Sequence, residues 1–180
     1  MALKATIFKA ELVISDMDRN YYHTHVLTLA RHPSETDERM MVRLLAFALH
    51  ANEALQFTKG LSTDDEPDLW QKDLGGDIEL WIDLGQPEEK RIRKACARAR
   101  SVVIYCYSGN AADIWWQQNR SKLERFDNLA VIAIAADASQ QLATLAQRSM
   151  RLQCTIQDGG VWLGDDKQTV EVALTRWKSA

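Results

Sequence analysis

The sequence predicts a mixed α/β (α+β) fold, with a mixed central sheet flanked by helices, an extra β-hairpin on the N-terminal side and further strands on the C-terminal side. Three observations predict it. Two continuous apolar runs, SVVIYCYS from Ser101 and LAVIAIAA from Leu129, read as strands covered on both faces. Apolar residues at 3.6-residue spacing mark helices before and between them. Alternating runs joined by turn residues occupy both ends of the chain.

From the N-terminal side, ATIFKAELVISDMD and YYHTHVLTLARH form a long hairpin from Ala5 to His32, with turn chemistry at Asp16 to Asn20. His23 and His25 share a strand face with Leu27 and Leu29 and read as a surface pair on an edge strand, since no third metal ligand stands near them. A helix starts at Pro33 to Thr36, where Ser34 and Asp37 stand three apart as in a capping box. It is expected to run to Ala54 or Gln56. Met41, Leu44, Leu45, Ala48, Asn52 and Leu55 form its core-facing arc, with Glu53 at the rim. LQFTKG is a short strand. LSTDDE is an acidic loop, in which Asp64 and Asp65 read as solvated.

The chain is organised around Pro67 to Lys94, PDLWQKDLGGDIELWIDLGQPEEKRIRK. Gly75-Gly76 between two strand-like runs signals a tight hairpin, because primed turns need φ > 0. With those two residues as the loop, Leu74 faces Asp77, Lys72 faces Glu79, Trp70 faces Trp81 and Asp68 faces Asp83. All three outer pairs share one face. Opposed aspartates, with Cβ atoms ~5 Å apart, destabilise a ladder unless something answers them. A divalent metal between them is one reason for the arrangement, since hard cations take carboxylate oxygens. A longer loop that slides the register and leaves both acids in solvent is the other.

Pro87 suits the first helical position of the next helix. Glu88 and Glu89 precede six basic residues between Lys90 and Arg100, which suits the helix dipole. Ile92, Ala95, Cys96 and Ala99 form its apolar stripe, with Lys90 and Lys94 on the opposite, solvent side. ADIWWQQNRSKLERF is a helix in which one of Trp115 and Trp116 faces the core and the other is partly exposed. Gln140 to Arg148 is a short helix. Alternating strands with an Asp-Gly-Gly turn follow Met150.

At 180 residues the chain reads as one domain, 1–180. It is 46% hydrophobic and 26% charged, with net charge −3, so its overall balance does not advertise nucleic-acid binding. Three cysteines, odd in number and in apolar contexts, read as buried thiols of a reducing compartment. No apolar run reaches membrane-spanning length and the first residues lack a secretion signal, so a cytoplasmic protein with no membrane partner is expected. There is no phosphate-binding glycine loop, no Ser-His-Asp arrangement and no CxxC.

The run from Glu66 to Ser108, above all Pro-Asp-Leu-Trp and Trp-Ile-Asp-Leu-Gly-Gln-Pro, resembles the YaeQ family, and the resemblance extends over essentially the whole chain. Proteins of that family are similar in fold to the PD-(D/E)XK nucleases, whose site is built on a helix-strand-hairpin-helix-strand core. The resemblance implies Glu53 as the helix acid, Pro67-Asp68 as the PD element and Asp83 as the acid of the (D/E)XK element. Glu53, Asp68 and Asp83 would then hold Mg²⁺, or Mn²⁺, which activates water and stabilises charge on the phosphoryl oxygens. The chain departs from the pattern two residues after Asp83, where the lysine is replaced by Gly85. Lys90 is the nearest substitute, Lys94 lies one turn further and Lys72 sits on the hairpin. Gln86 would line the site from the helix start.

Two functions follow. One is a Mg²⁺-dependent phosphodiesterase, a nuclease acting on nucleic acid through Asp68, Asp83, Gln86 and Lys90. The other is a non-catalytic nuclease-like scaffold that binds a protein or nucleic-acid partner. A third, purely structural reading leaves the acids unpaired on the surface.

Overall fold

The structure is a computed structural model that describes residues 4–59 and 65–180; the expected solvated Asp64 lies outside them. In chain order its elements are β1 (Thr6–Asp16), β2 (Tyr21–Arg31), α1 (Asp37–His50), β3 (Leu55–Phe57), β4 (Leu69–Lys72), β5 (Ile78–Leu84) and α2 (Glu89–Arg98). They continue with β6 (Ala99–Cys106), α3 (Asn110–Leu123), β7 (Leu129–Ile134), α4 (Ala136–Ala143), β8 (Ser149–Gln157), β9 (Gly160–Gly164), β10 (Thr169–Glu171) and β11 (Leu174–Lys178). The fold is mixed α+β, with two mixed sheets and four helices among the described residues. No helix among them is long and apolar enough to cross a membrane.

The chain divides into two compact units. Unit 1, residues 1–48 and 137–173, is built on a five-stranded sheet of order β10-β9-β8-β1-β2. Sequence reading treats the N-terminal hairpin and the C-terminal strands as additions to a central sheet. They instead make a sheet of their own, because β1 pairs parallel with β8 along eight residues, from Lys9↔Ser149 to Asp16↔Ile156. Strand β1 alternates as its sequence does: Phe8, Ala10, Leu12 and Ile14 are buried, while Ile7 and Val13 are exposed. Asp158 and Gly159 form the β8–β9 turn, both at positive φ (51° and 77°), as a type I′ loop requires. The Asp18 carboxylate accepts both of their N–H groups, at 2.7 and 2.9 Å. The His pair sits on β2, the edge strand, as expected; the rings lie 4.6 Å apart and His25 accepts or donates at the Tyr21 hydroxyl, 2.7 Å away.

Several helix boundaries differ from the sequence reading; α2 begins at Glu89 with Glu88 at its N-cap, so Pro87 precedes the helix instead of opening it. Thr36, not Ser34, caps α1: its hydroxyl accepts the Arg39 N–H at 3.1 Å. The helix stops at His50 and does not reach Ala54 or Gln56. Asn52 ends it, since its side-chain oxygen accepts the N–H groups of Ala54 (2.7 Å) and Leu55 (3.0 Å) and so competes with helical bonding. Helix α4 starts at Ala136, ahead of Gln140, and ends in tighter turns in which the N–H groups of Thr144, Leu145 and Ala146 reach carbonyls three residues back.

Unit 2, residues 49–136 and 174–180, holds a six-stranded sheet of order β11-β7-β6-β5-β4-β3. Strands β5, β6 and β7 run parallel; β3, β4 and β5 form an antiparallel meander. One face is covered by α2 and α3 through a cluster that includes Trp81, Ile92, Ala95, Val102, Ile104, Trp115 and Val131. Trp115 is buried there and Trp116 is half-buried, stacked on Trp177 at 5.6 Å.

The central hairpin keeps its inner register and changes its tip. The loop holds three residues: Asp73 donates to the Asp77 carbonyl at 2.9 Å, the Gly76 N–H returns to the Asp73 carbonyl at 3.1 Å, and Gly76 takes φ +90°. This is a type I turn closed by a left-handed glycine. The extra loop residue would shift every pair by one. A bulge restores the register, because Lys72 opposes Ile78, not Glu79, and Glu79 is the unmatched residue. Trp70↔Trp81 therefore stands as expected, with the two rings edge to face at 6.4 Å. The ladder ends at Leu69↔Ile82, and there the Asp68 N–H turns to the Ile82 carbonyl at 3.0 Å, so Asp68 comes near Asp83 just past the paired register and not as its directly opposed partner.

Candidate functional site

The site grows from the junction of β4, β5 and α2. Both acids are buried, Asp68 at 4% and Asp83 at 3% exposure. Asp68 is fixed through its backbone, which donates to the Ile82 carbonyl at 3.0 Å, and its Oδ2 accepts the Leu84 N–H at 2.9 Å. Asp83 shares the face of Trp81 and receives its indole N–H on Oδ2 at 3.0 Å.

Arg91, the third residue of α2, answers Asp83. It donates from Nε to Oδ2 at 2.9 Å and from Nη2 to Oδ1 at 3.1 Å, a two-point fork. The same Nη2 donates to the Glu66 carbonyl at 2.8 Å, which ties α2 to the residue before Pro67-Asp68. Burial pushes the Asp83 carboxyl above the usual carboxylate range; the Arg91 fork pulls it down, Asp68 pushes it further up, and the Trp81 N–H pulls it down. The guanidinium carbons of Arg98 and Arg91 lie 5.1 and 5.9 Å from the centre of the Trp81 ring.

Beside this junction lies a cavity of about 880 Å³ lined by Lys90, Arg91, Lys94 and Arg98, with Trp81 at its wall and Asp65 and Glu88 as its acidic residues. With Arg91 committed to Asp83, three cations, Lys90, Lys94 and Arg98, stand against two acids in this concave surface.

Of the sequence-chosen residues, the structure brings Asp68 and Asp83 together and places Lys90 and Lys94 on the exposed side of α2, in the cavity. Glu53 does not join them: with α1 ending at His50 it falls in the following turn, exposed. Gln86 is exposed and donates to the Tyr107 carbonyl at 3.2 Å. Lys72 lays its ammonium over the Trp70 ring, 3.9 Å from its centre. Gly85 has φ +94° with nothing within 4 Å of an added Cβ, so backbone conformation, not crowding, favours glycine where the nuclease pattern has lysine.

The donor set does not fit a divalent metal. Such ions need several oxygen ligands at once. Both Asp83 oxygens already accept N–H donors, Asp68 Oδ2 accepts a backbone N–H, and Glu53 stands outside. Among the described residues no three of His, Cys, Asp and Glu are grouped to hold a metal ion.

Comparison with known proteins places the chain in a family. Residues 1–174 match the family model described as YaeQ protein. The chain belongs to the YaeQ family. It is 53% identical over 178 residues to the Escherichia coli (strain K12) protein named Uncharacterized protein YaeQ, covering 99% of this chain and 98% of the relative. The Salmonella typhi protein of the same name is 52% identical over 178 residues, with the same coverage. The crystal structure of the YaeQ protein from Xanthomonas axonopodis pv. citri is similar with TM-score 0.95 and 52% identity, over 98% of this chain and 99% of that one. That from Pseudomonas syringae has TM-score 0.93 and 35% identity, over 98% and 97%.

In this YaeQ chain the residue that sequence reasoning missed is Arg91. It lies next to the apolar stripe in the chain, and nothing in its spacing sets it apart from five other basic residues of the run. The signal was indirect, since two buried acids side by side require a cation, and the first turns of α2 follow β5 directly.

All three cysteines are free thiols; Cys106 and Cys154 are buried as expected, whereas Cys96 is only half-buried. Burial pushes Cys106 and Cys154 up to about 12 and Cys96 up to about 11. A thiolate is the reactive form. A disulfide-exchange reagent at pH 8 is therefore expected to label native protein very slowly, and all three thiols at once after denaturation. Rapid labelling of one native thiol contradicts the burial.

Proposed function

We propose that this YaeQ-family protein is a non-catalytic, nuclease-like scaffold that holds the phosphate groups of a nucleic acid along α2. The observation that carries the reading is the concentration of Lys90, Lys94 and Arg98 in one cavity over the Trp81 indole, beside an Arg91 that is paired with Asp83. A concave cluster of like charge focuses its field and attracts a polyanion even on a chain of net charge −3. From Lys90 to Arg98 the helix rises about 12 Å, a length that suits successive phosphates of a strand better than one free phosphate. The order α1, β3, β4–β5 hairpin, α2, β6 supports the resemblance to the helix-strand-hairpin-helix-strand core of PD-(D/E)XK nucleases. The non-catalytic half of the reading is supported by Arg91, which engages both oxygens of the acid that a metal would need, and by the glycine in the lysine position.

Fluorescence anisotropy with labelled single-stranded DNA and RNA tests it. The native protein is expected to bind with Kd of roughly 10⁻⁶–10⁻⁴ M at physiological salt, weakening as salt rises. Lys94→Glu and Arg98→Glu are each expected to weaken binding and to flatten the salt slope by about 1. Lys122→Glu, an equal charge change on an exposed α3 residue outside the cavity, is expected to leave it nearly unchanged. Absence of salt-dependent binding, or equal effects of all three variants, overturns the reading. Divalent-dependent cleavage that is lost in Asp83→Asn replaces it with the phosphodiesterase.

A further inference from the structure

We infer that Arg91 is the resident cation of the Asp68–Asp83 pair, standing in for the metal ion that the nuclease resemblance implies, so that the site is complete without one. Three observations carry this. First, the guanidinium makes a two-point contact with Asp83, at 2.9 and 3.1 Å. A planar fork matches a carboxylate in a way that a lysine ammonium does not. Second, the pair is asymmetric in burial: the Asp83 side chain is 4% exposed and that of Arg91 is 27% exposed. Arg91 thus reaches inward from the cavity and brings its charge to an acid that solvent does not reach. Third, the same side chain donates to the Glu66 carbonyl at 2.8 Å, at the start of the segment that carries Asp68. One residue therefore links both strands that present the acids. A metal between the strands would do the same mechanical task, but through carboxylate oxygens that here accept Arg91, Trp81 and the Leu84 N–H.

The inference explains how two buried aspartates come to stand near one another where the β4–β5 pairing ends. Like charges buried close together disfavour ionisation and destabilise the fold unless a counter-charge is built in. Arg91 supplies it, with a hydrogen bond to each Asp83 oxygen, while the Leu84 N–H serves Asp68. The inference does not depend on nucleic-acid binding, and its test uses no nucleic acid.

The test is thermal unfolding of native protein, Asp83→Asn, Arg91→Ala and the double variant Asp83→Asn/Arg91→Ala, each with EDTA and with millimolar Mg²⁺ or Mn²⁺ at constant ionic strength. The native midpoint is expected to be unmoved by either ion. Arg91→Ala is expected to melt about 10 °C lower, as for a buried charge left unpaired in a domain of this size. Adding Asp83→Asn to Arg91→Ala is expected to recover at least half of that loss, because the orphaned charge is removed. A saturable rise of the native midpoint with Mg²⁺ or Mn²⁺ that disappears in Asp83→Asn overturns the inference, as does a double variant no more stable than Arg91→Ala. If Arg91→Ala does not fold, the Nε–H proton of Arg91 in native protein, assigned against Arg91→Lys, decides. Slow exchange with solvent, unchanged by Mg²⁺, is expected. A resonance that shifts saturably with Mg²⁺ overturns the inference.

Discussion

Arg91→Ala is expected to lower the unfolding free energy at pH 7 by about 3–5 kcal/mol, the range for breaking a buried ion pair by removing one partner. The loss comes less from the attraction given up than from the charge left behind: Asp83 would remain almost fully buried, near Asp68, with the Trp81 N–H as its remaining donor among the described residues. The loss is expected to depend on pH with a definite sign. In the native protein burial already holds the Asp83 carboxyl above its ordinary value, and Arg91 is the main influence pulling it down. Removing Arg91 raises it further. A carboxyl whose folded-state pKa lies above its unfolded value, about 3.9, binds more protons folded than unfolded between those two values. Stability then falls as pH rises through that window and is regained as pH drops toward 3.9. The difference between native protein and Arg91→Ala is expected to be largest at neutral pH and to narrow on acidification. Urea unfolding of both proteins across pH 4 to 8 measures it, with other titrating groups largely cancelling in the difference. A gap that widens on acidification contradicts an Asp83 charge penalised in the variant.

Trp81→Ala is expected to cost about 3–5 kcal/mol, as for truncation of a large buried aromatic. The indole is 2% exposed, lies in the cluster beneath α2 and α3, meets Trp70 edge to face and carries the guanidinium of Arg98 on its ring. Trp81→Phe separates its two roles. It retains much of the apolar volume and the cross-strand aromatic pair, but removes the N–H that serves Asp83 at 3.0 Å. A loss of about 1–3 kcal/mol is expected for it, the penalty of leaving a buried acceptor short of a donor. Part of that loss is expected to vanish in an Asp83→Asn background, since the two residues are in contact and their effects are not additive. Urea unfolding of the four proteins gives the coupling. Fully additive losses contradict a working bond between Trp81 and Asp83.

What was legible in the sequence was what local patterning dictates. Trp70 and Trp81 stand on strand-like runs closed by a Gly-Gly signal, so their opposition can be read by counting outward from the turn. The loop was one residue longer than read, because the Asp73 side chain accepts the N–H groups of Gly75 and Asp77 and favours the wider turn. The Glu79 bulge then cancelled the slip, and Gln71 holds the Glu79 carboxylate at 2.6 Å. Two compensating irregularities are invisible to a period-two count. The end of α1 was misplaced because Asn52 fits the helical arc but spends its side chain on the backbone, and that moved Glu53 out of reach. The parallel pairing of β1 with β8 joins segments more than a hundred residues apart in sequence, and no local pattern specifies it. Arg91 was missed because its role depends on a carboxylate eight residues earlier in the chain, brought close only when α2 folds back from β5. Gly85 was noticed as a missing lysine; its left-handed backbone gives the physical reason.

The account's central claim is that α2 binds nucleic-acid phosphates while the neighbouring acid pair is closed by Arg91. The most direct measurement incubates native protein with a labelled oligonucleotide in EDTA and in Mg²⁺ at matched ionic strength, and follows anisotropy and strand length in the same samples. The account predicts equal, salt-sensitive binding in both and an intact strand throughout. Cleavage that requires Mg²⁺ and is lost in Asp83→Asn would contradict it.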